Sequence, residues 1–325
     1  MGAISNQAQK SNMTKFAPIA LFVYNRPAHT RQTVEALQKN DMSEDSDLFI
    51  FSDAPKSAAQ TEAVNEVREY IRQVGGFKSA TIVERETNFG LARSIIEGVT
   101  RLCEEYGRAI VLEDDLITSP HFLRFMNDAL NMYEHEDRVM HISGATYPIE
   151  PMKEETFFLR IPLCWGWATW DRAWQHFRKS NDVMLKFDRK MRRDFSFNDT
   201  YHYWKQLEDN NKGLINTWFV YWYATLFLRK GLALFPGRSL VRNIGMDGSG
   251  VHCGTDDVYE VEPSASAVNV LPIPPTESGE AVSRHESFFR RIMPRYPLHT
   301  RIYCKVARII KKLVLAPRIT NEGKQ

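Results

Sequence analysis

Over the first 144 residues, short apolar runs rich in β-branched and aromatic side chains alternate with longer stretches in which apolar residues recur at helical spacing. APIALFVY (17–24) predicts a buried strand, and 28–40 a helix entered through Pro27. DLFIFSD (47–53) predicts a second strand. A helix over 58–74 follows, with Ala63, Val67, Tyr70, Ile71 and Val74 on one face. SATIVER (79–85) is a third strand, 91–106 a helix, 108–112 a fourth strand, 121–133 a helix and 138–143 a fifth strand. Strict alternation implies an α/β fold with an open, mostly parallel sheet and helices on both faces. Ligands of such sheets bind beyond the carboxyl ends of the strands. That edge collects Tyr24, Asn25 and Arg26 after strand one, Ser52 and Asp53 after strand two, and Glu113, Asp114 and Asp115 after strand four.

Beyond Gly144 the alternation stops. FFLRIPLCWGWATWDRAW (157–174) is aromatic and irregular, 181–212 is polar and helical in pattern, 218–229 is apolar, and 231–236 reads as a short strand. NIGMDGSGVHCG (243–254) is a glycine-rich loop, and 262–283, rich in Pro, Ser and Glu, reads as a linker. The predicted organisation is a disordered N-terminus (1–15), a first half (16–144), a second half (145–261), the linker and a basic tail (284–325). No internal repeat is apparent.

Charge sharpens this division. The net charge is +2, yet residues 284–318 hold ten Lys or Arg against one Glu, which leaves the rest of the chain at −7. Within 298–314, Leu298, Ile302, Val306, Ile309, Ile310 and Leu313 recur at helical spacing, with Arg301, Lys305, Arg308 and Lys312 on another face. This basic amphipathic helix suits an interfacial anchor on an anionic membrane surface; a helix packed on the body would show the same pattern. The acidic body argues against a nucleic-acid groove. Cysteines 103, 164, 253 and 304 lack the spacing of a zinc knuckle or a disulfide framework, which fits a reducing cytosol. The first fifteen residues have no apolar signal core, and the longest apolar run, 218–228, is about half of the roughly 20 residues a span needs. The expected location is cytoplasmic, peripheral to the inner face of the membrane.

Glu113-Asp114-Asp115, placed after the apolar AIVL, is the strongest chemical signal. Adjacent like charges at a strand end are costly unless partnered, and a hard divalent cation, Mg²⁺ or Mn²⁺, would relieve them. Such a metal commonly bridges the phosphates of a nucleotide. The competing role for Asp114 or Asp115 is to start the next helix, which Ser119-Pro120 does better. No GxGxxG follows strand one and no GxxxxGK[ST] occurs, which argues against a dinucleotide cradle and a P-loop.

VLEDDLITSPHFLRFMNDAL resembles the signature of the eukaryotic N-acetylglucosaminyltransferase I group, with Asn88-Phe89-Gly90-Leu91-Ala92 upstream and Gly166-Trp167 downstream. From Phe16 to about Gly254 the chain resembles bacterial sugar transferases of the GT-A type, through CWGWATW and NIGMDGSGVHC. The resemblance implies a GT-A, Rossmann-like fold with a nucleotide-sugar-binding half, an aromatic-rich acceptor half and a C-terminal amphipathic helix. It also implies transfer of a hexose or N-acetylhexosamine from a nucleotide-diphosphate sugar, a UDP-sugar foremost, to a glycan or lipid-linked acceptor in surface polysaccharide synthesis. Asp115 matches the metal-ligating acid, and Glu113 and Asp114 the residues facing the donor's sugar and ribose. Tyr24, Asn25 and Arg26 would lie by the nucleotide, Asp53 by the base, and Arg93 by the base or diphosphate; Asp53 is equally a turn residue before Pro55 and Arg93 a solvated helix face. Asn88 would border the donor, or with Gly90 simply shape the helix entry. Trp165, Gly166 and Trp167 would form the floor of the sugar or acceptor pocket, or pack the core. His252 matches a late metal or diphosphate ligand, or is a loop histidine without a role.

One departure stands out. The eukaryotic group has its catalytic Asp directly after a Trp, and the similar stretch here, 217–222, carries Phe219 in that place. An inverting displacement, expected ahead of a retaining one, needs another base, and Asp171 and Asp247 are the candidates. Two other classes fit parts of the pattern: a metal-dependent phosphohydrolase, and a non-catalytic sugar-binding or membrane scaffold.

Overall fold

The computed structural model describes residues 16–150, 152–248 and 257–293. Its first half follows the predicted alternation: β1 (Ile19–Val23), α1 (Pro27–Gln38), β2 (Asp47–Ser52), α2 (Thr61–Ile71), β3 (Ser79–Glu84), α3 (Leu91–Tyr106), β4 (Arg108–Glu113), β5 (Leu116–Thr118), α4 (Phe122–Met132) and β6 (Val139–Ser143). All five residues of β1 are buried, as a strand covered on both faces requires, whereas the first three residues of the edge strand β3, 79–81, are exposed. Leu91–Tyr106 is bounded by glycines in the left-handed region, Gly90 at φ 71° and Gly107 at φ 79°, and the Gly107 N–H closes the last turn on the Cys103 carbonyl at 2.7 Å.

The second half supplies β7 (Thr156–Leu159), β8 (Trp167–Trp170), α5 (Asp171–Trp174), α6 (Arg189–Phe195), α7 (Tyr203–Asn211), α8 (Phe219–Leu228), β9 (Leu232–Pro236), β10 (Val241–Asn243) and α9 (Gly279–Ile292). Three of these strands enter the main sheet, whose order is β3-β2-β1-β4-β8-β6-β9-β7. The two halves therefore share one sheet. Most of its pairings are parallel; β8 runs antiparallel between β4 and β6, and β7 antiparallel to β9.

From β1 the chain moves outward to β2 and β3, then returns through α3 to β4 on the other side of β1. Right-handed crossovers place α1 and α2 on one face and α3 on the opposite one. The reversal between β1 and β4 is the switch point at which the strand ends part and leave a crevice.

The stretch 262–278, where composition predicts a linker, lies against the body. Ser119 donates to the Ser264 carbonyl at 2.6 Å, the Ser264 N–H reaches the Ser239 carbonyl at 2.7 Å, and the Tyr133 hydroxyl donates to the Leu271 carbonyl at 3.1 Å. Composition registers the lack of a helix or strand pattern, which is a different property from lack of contact. The helix Gly279–Ile292 begins inside the predicted linker, 262–283, and buries Ala281, His285, Phe288 and Phe289. The N-terminal segment 1–15, the amphipathic segment 298–314 and His252 lie outside the described residues. Among the described residues no helix is long and apolar enough to cross a membrane.

Candidate active site

The ends of β1 and β4 meet at the switch point. β1 pairs with β4 in the register Phe22↔Glu113, so Tyr24, Asn25 and Arg26 emerge beside Asp114 and Asp115. The Tyr24 N–H donates to Asp114 Oδ2 at 3.2 Å. Arg26 Nη2 donates to Asp114 Oδ1 and, at 2.9 Å, to Asp115 Oδ2. From the buried face of α1, the Thr33 hydroxyl donates to the Asp114 carbonyl at 2.8 Å and accepts the Leu116 N–H at 3.1 Å, which fixes the backbone of the acidic turn.

Three acids face one guanidinium, and the electrostatics record the imbalance. Burial, then Asp115 and Asp114, push the Glu113 carboxyl up to about 8 against the pull of Arg26. Burial also raises Asp114, to about 6, although Arg26 opposes it more strongly than Asp115 reinforces it. Burial works against the charge on Arg26, but the two carboxylates outweigh it and hold its pKa above the ordinary value.

A second pairing brings the glycine-rich loop onto the acids. β10 pairs antiparallel with β5 in the register Asn243↔Leu116, and the Ile244 N–H donates to the Asp115 carbonyl at 2.9 Å. Gly245 then lies so close that a Cβ there would fall 2.1 Å from Asp115 Oδ2 and 3.0 Å from Arg26 Nη1. The next turn carries Asp247, whose Oδ2 lies 3.2 Å from Nε2 of His29 in the first turn of α1. No local signal links His29 to Asp247, because only the fold brings their segments together.

Asp53, at the end of β2, is spent on the loop before α3. Its Oδ1 accepts the N–H groups of Ala54 (2.9 Å) and Phe89 (2.8 Å), and its Oδ2 those of Gly90 (2.8 Å) and the Asn88 side chain (3.1 Å). Two donors on each oxygen fill its acceptor capacity, so Asp53 shapes the loop and has no lone pair for a base. Asn88 belongs to the same clasp through the Ala54 carbonyl at 2.6 Å. Arg93 lies over the Phe89 ring, 3.8 Å from its centroid, and pairs with Glu97 at 2.6 Å.

The aromatic block divides. β8 pairs with β4 in the register Val111↔Trp167, so Trp165 and Gly166 run on toward the edge that carries Glu113. Trp165 is partly exposed and packs near Tyr147 and Tyr259. Trp167 takes the core alternative: it is buried, stacked 5.2 Å from His141 and 5.2 Å from Trp218. Gly166 is buried too, with φ 63°, and its carbonyl accepts the Gly144 N–H at 2.7 Å. Asp171 lies away from these residues. Trp170 pairs with Arg108, which puts Asp171 at the opposite end of β4 from Glu113, about 17 Å away along a six-residue strand. It cannot reach the acids. Phe219 opens α8, and the Trp218 before it is core.

Among the described residues, no group of three or more His, Cys, Asp or Glu converges on a metal position. Asp115 at the strand end still fits a cation held by one or two carboxylates with the remaining ligands from phosphate and water, the habit of Mg²⁺. The meeting of two carboxylates on one guanidinium and the side-chain-free cradle at Gly245 agree with that fit.

No family model and no curated protein matches the chain. Among solved structures it is similar to S. aureus TarS (16% identity, TM-score 0.31, covering 43% of this chain and 24% of that one) and to residues 1–349 of TarS in complex with UDP (14%, 0.30, 43% and 40%). It is also similar to the mannosyltransferase PcManGT from Pyrobaculum calidifontis in complex with GDP-Man and Mn²⁺ (10%, 0.34, 67% and 70%). The chain spans about a quarter of the full TarS structure. All three are partial likenesses at low identity.

Proposed function

We propose that the protein is a glycosyltransferase that moves a sugar from a nucleotide-diphosphate donor to the hydroxyl of a glycan or lipid-linked acceptor. The observation that carries this reading is the meeting of Arg26, Asp114, Asp115 and the Gly245 loop at the β1/β4 switch point. Arg26 and the first turn of α1 suit a diphosphate, since a guanidinium pairs with phosphate through two N–H groups and a helix N-terminus favours anions. Glu113, on the same edge, suits hydroxyls of the donor sugar. Trp165, partly exposed beside the partly exposed Tyr259, offers an aromatic face on which the C–H face of a sugar can pack.

A Mg²⁺ or Mn²⁺ ion held by Asp115 would supply charge neutralisation for the departing diphosphate. Of the two base candidates, Asp247 is the one beside the site, and His29 orients its carboxylate. Its side chain is 48% exposed, which leaves room for an acceptor hydroxyl to approach. A hexose or N-acetylhexosamine as the transferred group, inversion at the anomeric carbon, a UDP-sugar donor, a role in bacterial surface polysaccharide synthesis and peripheral attachment at the inner membrane face complete the reading, on the resemblance of the sequence motifs.

A thermal-shift screen of nucleoside diphosphates and nucleotide-sugars, with and without Mn²⁺, tests it. Binding to the folded chain raises the melting temperature, by about 2.7 kcal/mol of stabilisation at a hundredfold excess over Kd. A chain that no nucleotide stabilises under any metal condition is not this enzyme.

A further inference from the structure

We propose that Arg26 is a built-in counterion that competes with the divalent cation for Asp115, so that the cation and the donor's diphosphate bind cooperatively. This rests on reading the acid cluster as the donor site. A cation at Asp115 would meet a carboxylate whose Oδ2 is already held by Arg26 Nη2 at 2.9 Å, the same nitrogen also bonding Asp114. The Gly245 backbone passes beside Arg26 without a side chain, Nη1 lying 3.0 Å from the point where a Cβ would sit, so the guanidinium has room to turn. A cation approaching alone must therefore displace a charge-assisted hydrogen bond from a site where burial already disfavours free charge.

A diphosphate changes that balance. Its oxygens offer Arg26 a bidentate partner at the start of α1, where the helix end adds further positive potential. Arg26 turned toward the phosphates leaves Asp115 Oδ2 to the metal, and metal bound there draws the phosphates in turn. Coupling of this kind is reciprocal, and its usual size is about 5- to 150-fold in affinity.

The test is a titration of the full-length chain with Mn²⁺, followed by the electron paramagnetic resonance signal of the free ion, with and without UDP or GDP. For the natural chain, a nucleoside diphosphate should tighten Mn²⁺ on the order of tenfold. Arg26→Gln should bind Mn²⁺ alone on the order of tenfold more tightly than the natural chain, with little further gain from the nucleotide. Arg26→Lys keeps a charge but loses the fork, so it should fall between them; it also serves as the readout should Arg26→Gln fail to fold. Adding Asp115→Asn to either variant should abolish the gain. If the Arg26 variants bind Mn²⁺ no more tightly while the nucleotide still tightens the natural chain, the counterion role is overturned and the donor site stands. If neither Mn²⁺ nor nucleotide binds any of these chains, the donor-site reading falls and takes the counterion with it.

Discussion

A Cβ on Gly245 would lie 2.1 Å from Asp115 Oδ2 and 2.9 Å from its Cγ, so the glycine-rich loop and the acidic turn are built for contact without a side chain between them. Gly245→Ala should force the loop off Asp115 or turn the carboxylate away. The strain is about 1–3 kcal/mol by analogy with overpacked cores. Because the loop can yield at the surface, most of the effect should appear as a loss of nucleotide-diphosphate affinity on the order of tenfold, a 1.4 kcal/mol change. Titration with UDP or GDP and a thermal melt separate the two. A variant that binds and melts like the natural chain would show that the contact has no consequence.

Asp53 accepts four N–H donors from the segment 54–90, and that count predicts a structural role. Asp53→Ala should leave the Phe89 and Gly90 N–H groups unpaired in a partly buried loop, at a cost of about 2–4 kcal/mol. For a chain of this size the melting temperature should drop by several degrees. Asp53→Asn, which retains one full acceptor, should lose less. If Asp53→Ala melts normally but no longer binds nucleotide, the residue contacts the base after all.

The placement of Asp171 and Asp247 at opposite ends of β4 separates two variants of equal chemistry. Asp247→Ala should lower kcat by about 10²- to 10⁴-fold, the usual contribution of a general base, while nucleotide affinity is retained. Asp171→Ala should leave transfer within about twofold of the natural chain, since along a six-residue strand its carboxylate starts about 17 Å from the acids. Steady-state rates with a competent donor and acceptor decide this. The reverse result would assign the base to Asp171 and require a different site.

The strand ends were legible because the switch-point rule needs only the order of apolar runs: Arg26, Asp114 and Asp115 lie where the pattern alone puts them. Trp165 and Trp167 were not separable. Residues two apart share a face of a strand, yet Trp165 precedes β8 and stays partly exposed while Trp167 is inside it and buried. Asp171 misled for a related reason, since nothing in the sequence announces that β8 inserts antiparallel and carries its C-terminal end away from the acids. The His29–Asp247 pair is tertiary throughout: it depends on β10 pairing with β5, which short and unpatterned strands do not advertise.

His285 provides a pH dependence of known sign. It is fully buried on α9 among the rings of Tyr147, Phe157 and Phe235, its Nδ1 bonds the Ala281 carbonyl at 2.7 Å, and its Nε2 has no partner among the described residues. Burial lowers its pKa from 6.5 to about 4, partly offset by the bond to Ala281. The folded chain thus holds His285 neutral between those values while the unfolded chain takes up a proton, so stability is full above about pH 6.5 and is lost as the pH falls toward 4. At pH 5 the loss from this one residue is on the order of 2 kcal/mol. His141, lowered to about 3 by burial, adds a loss of the same sign, which a comparison of variants cancels. His285→Leu should therefore match the natural chain within about 1 kcal/mol at pH 7, because it removes an unmet polar atom along with a hydrogen bond. At pH 5 it should be the more stable of the two by urea denaturation. Parallel pH profiles for the two chains would mean that α9 accommodates a protonated His285 without loosening from the body.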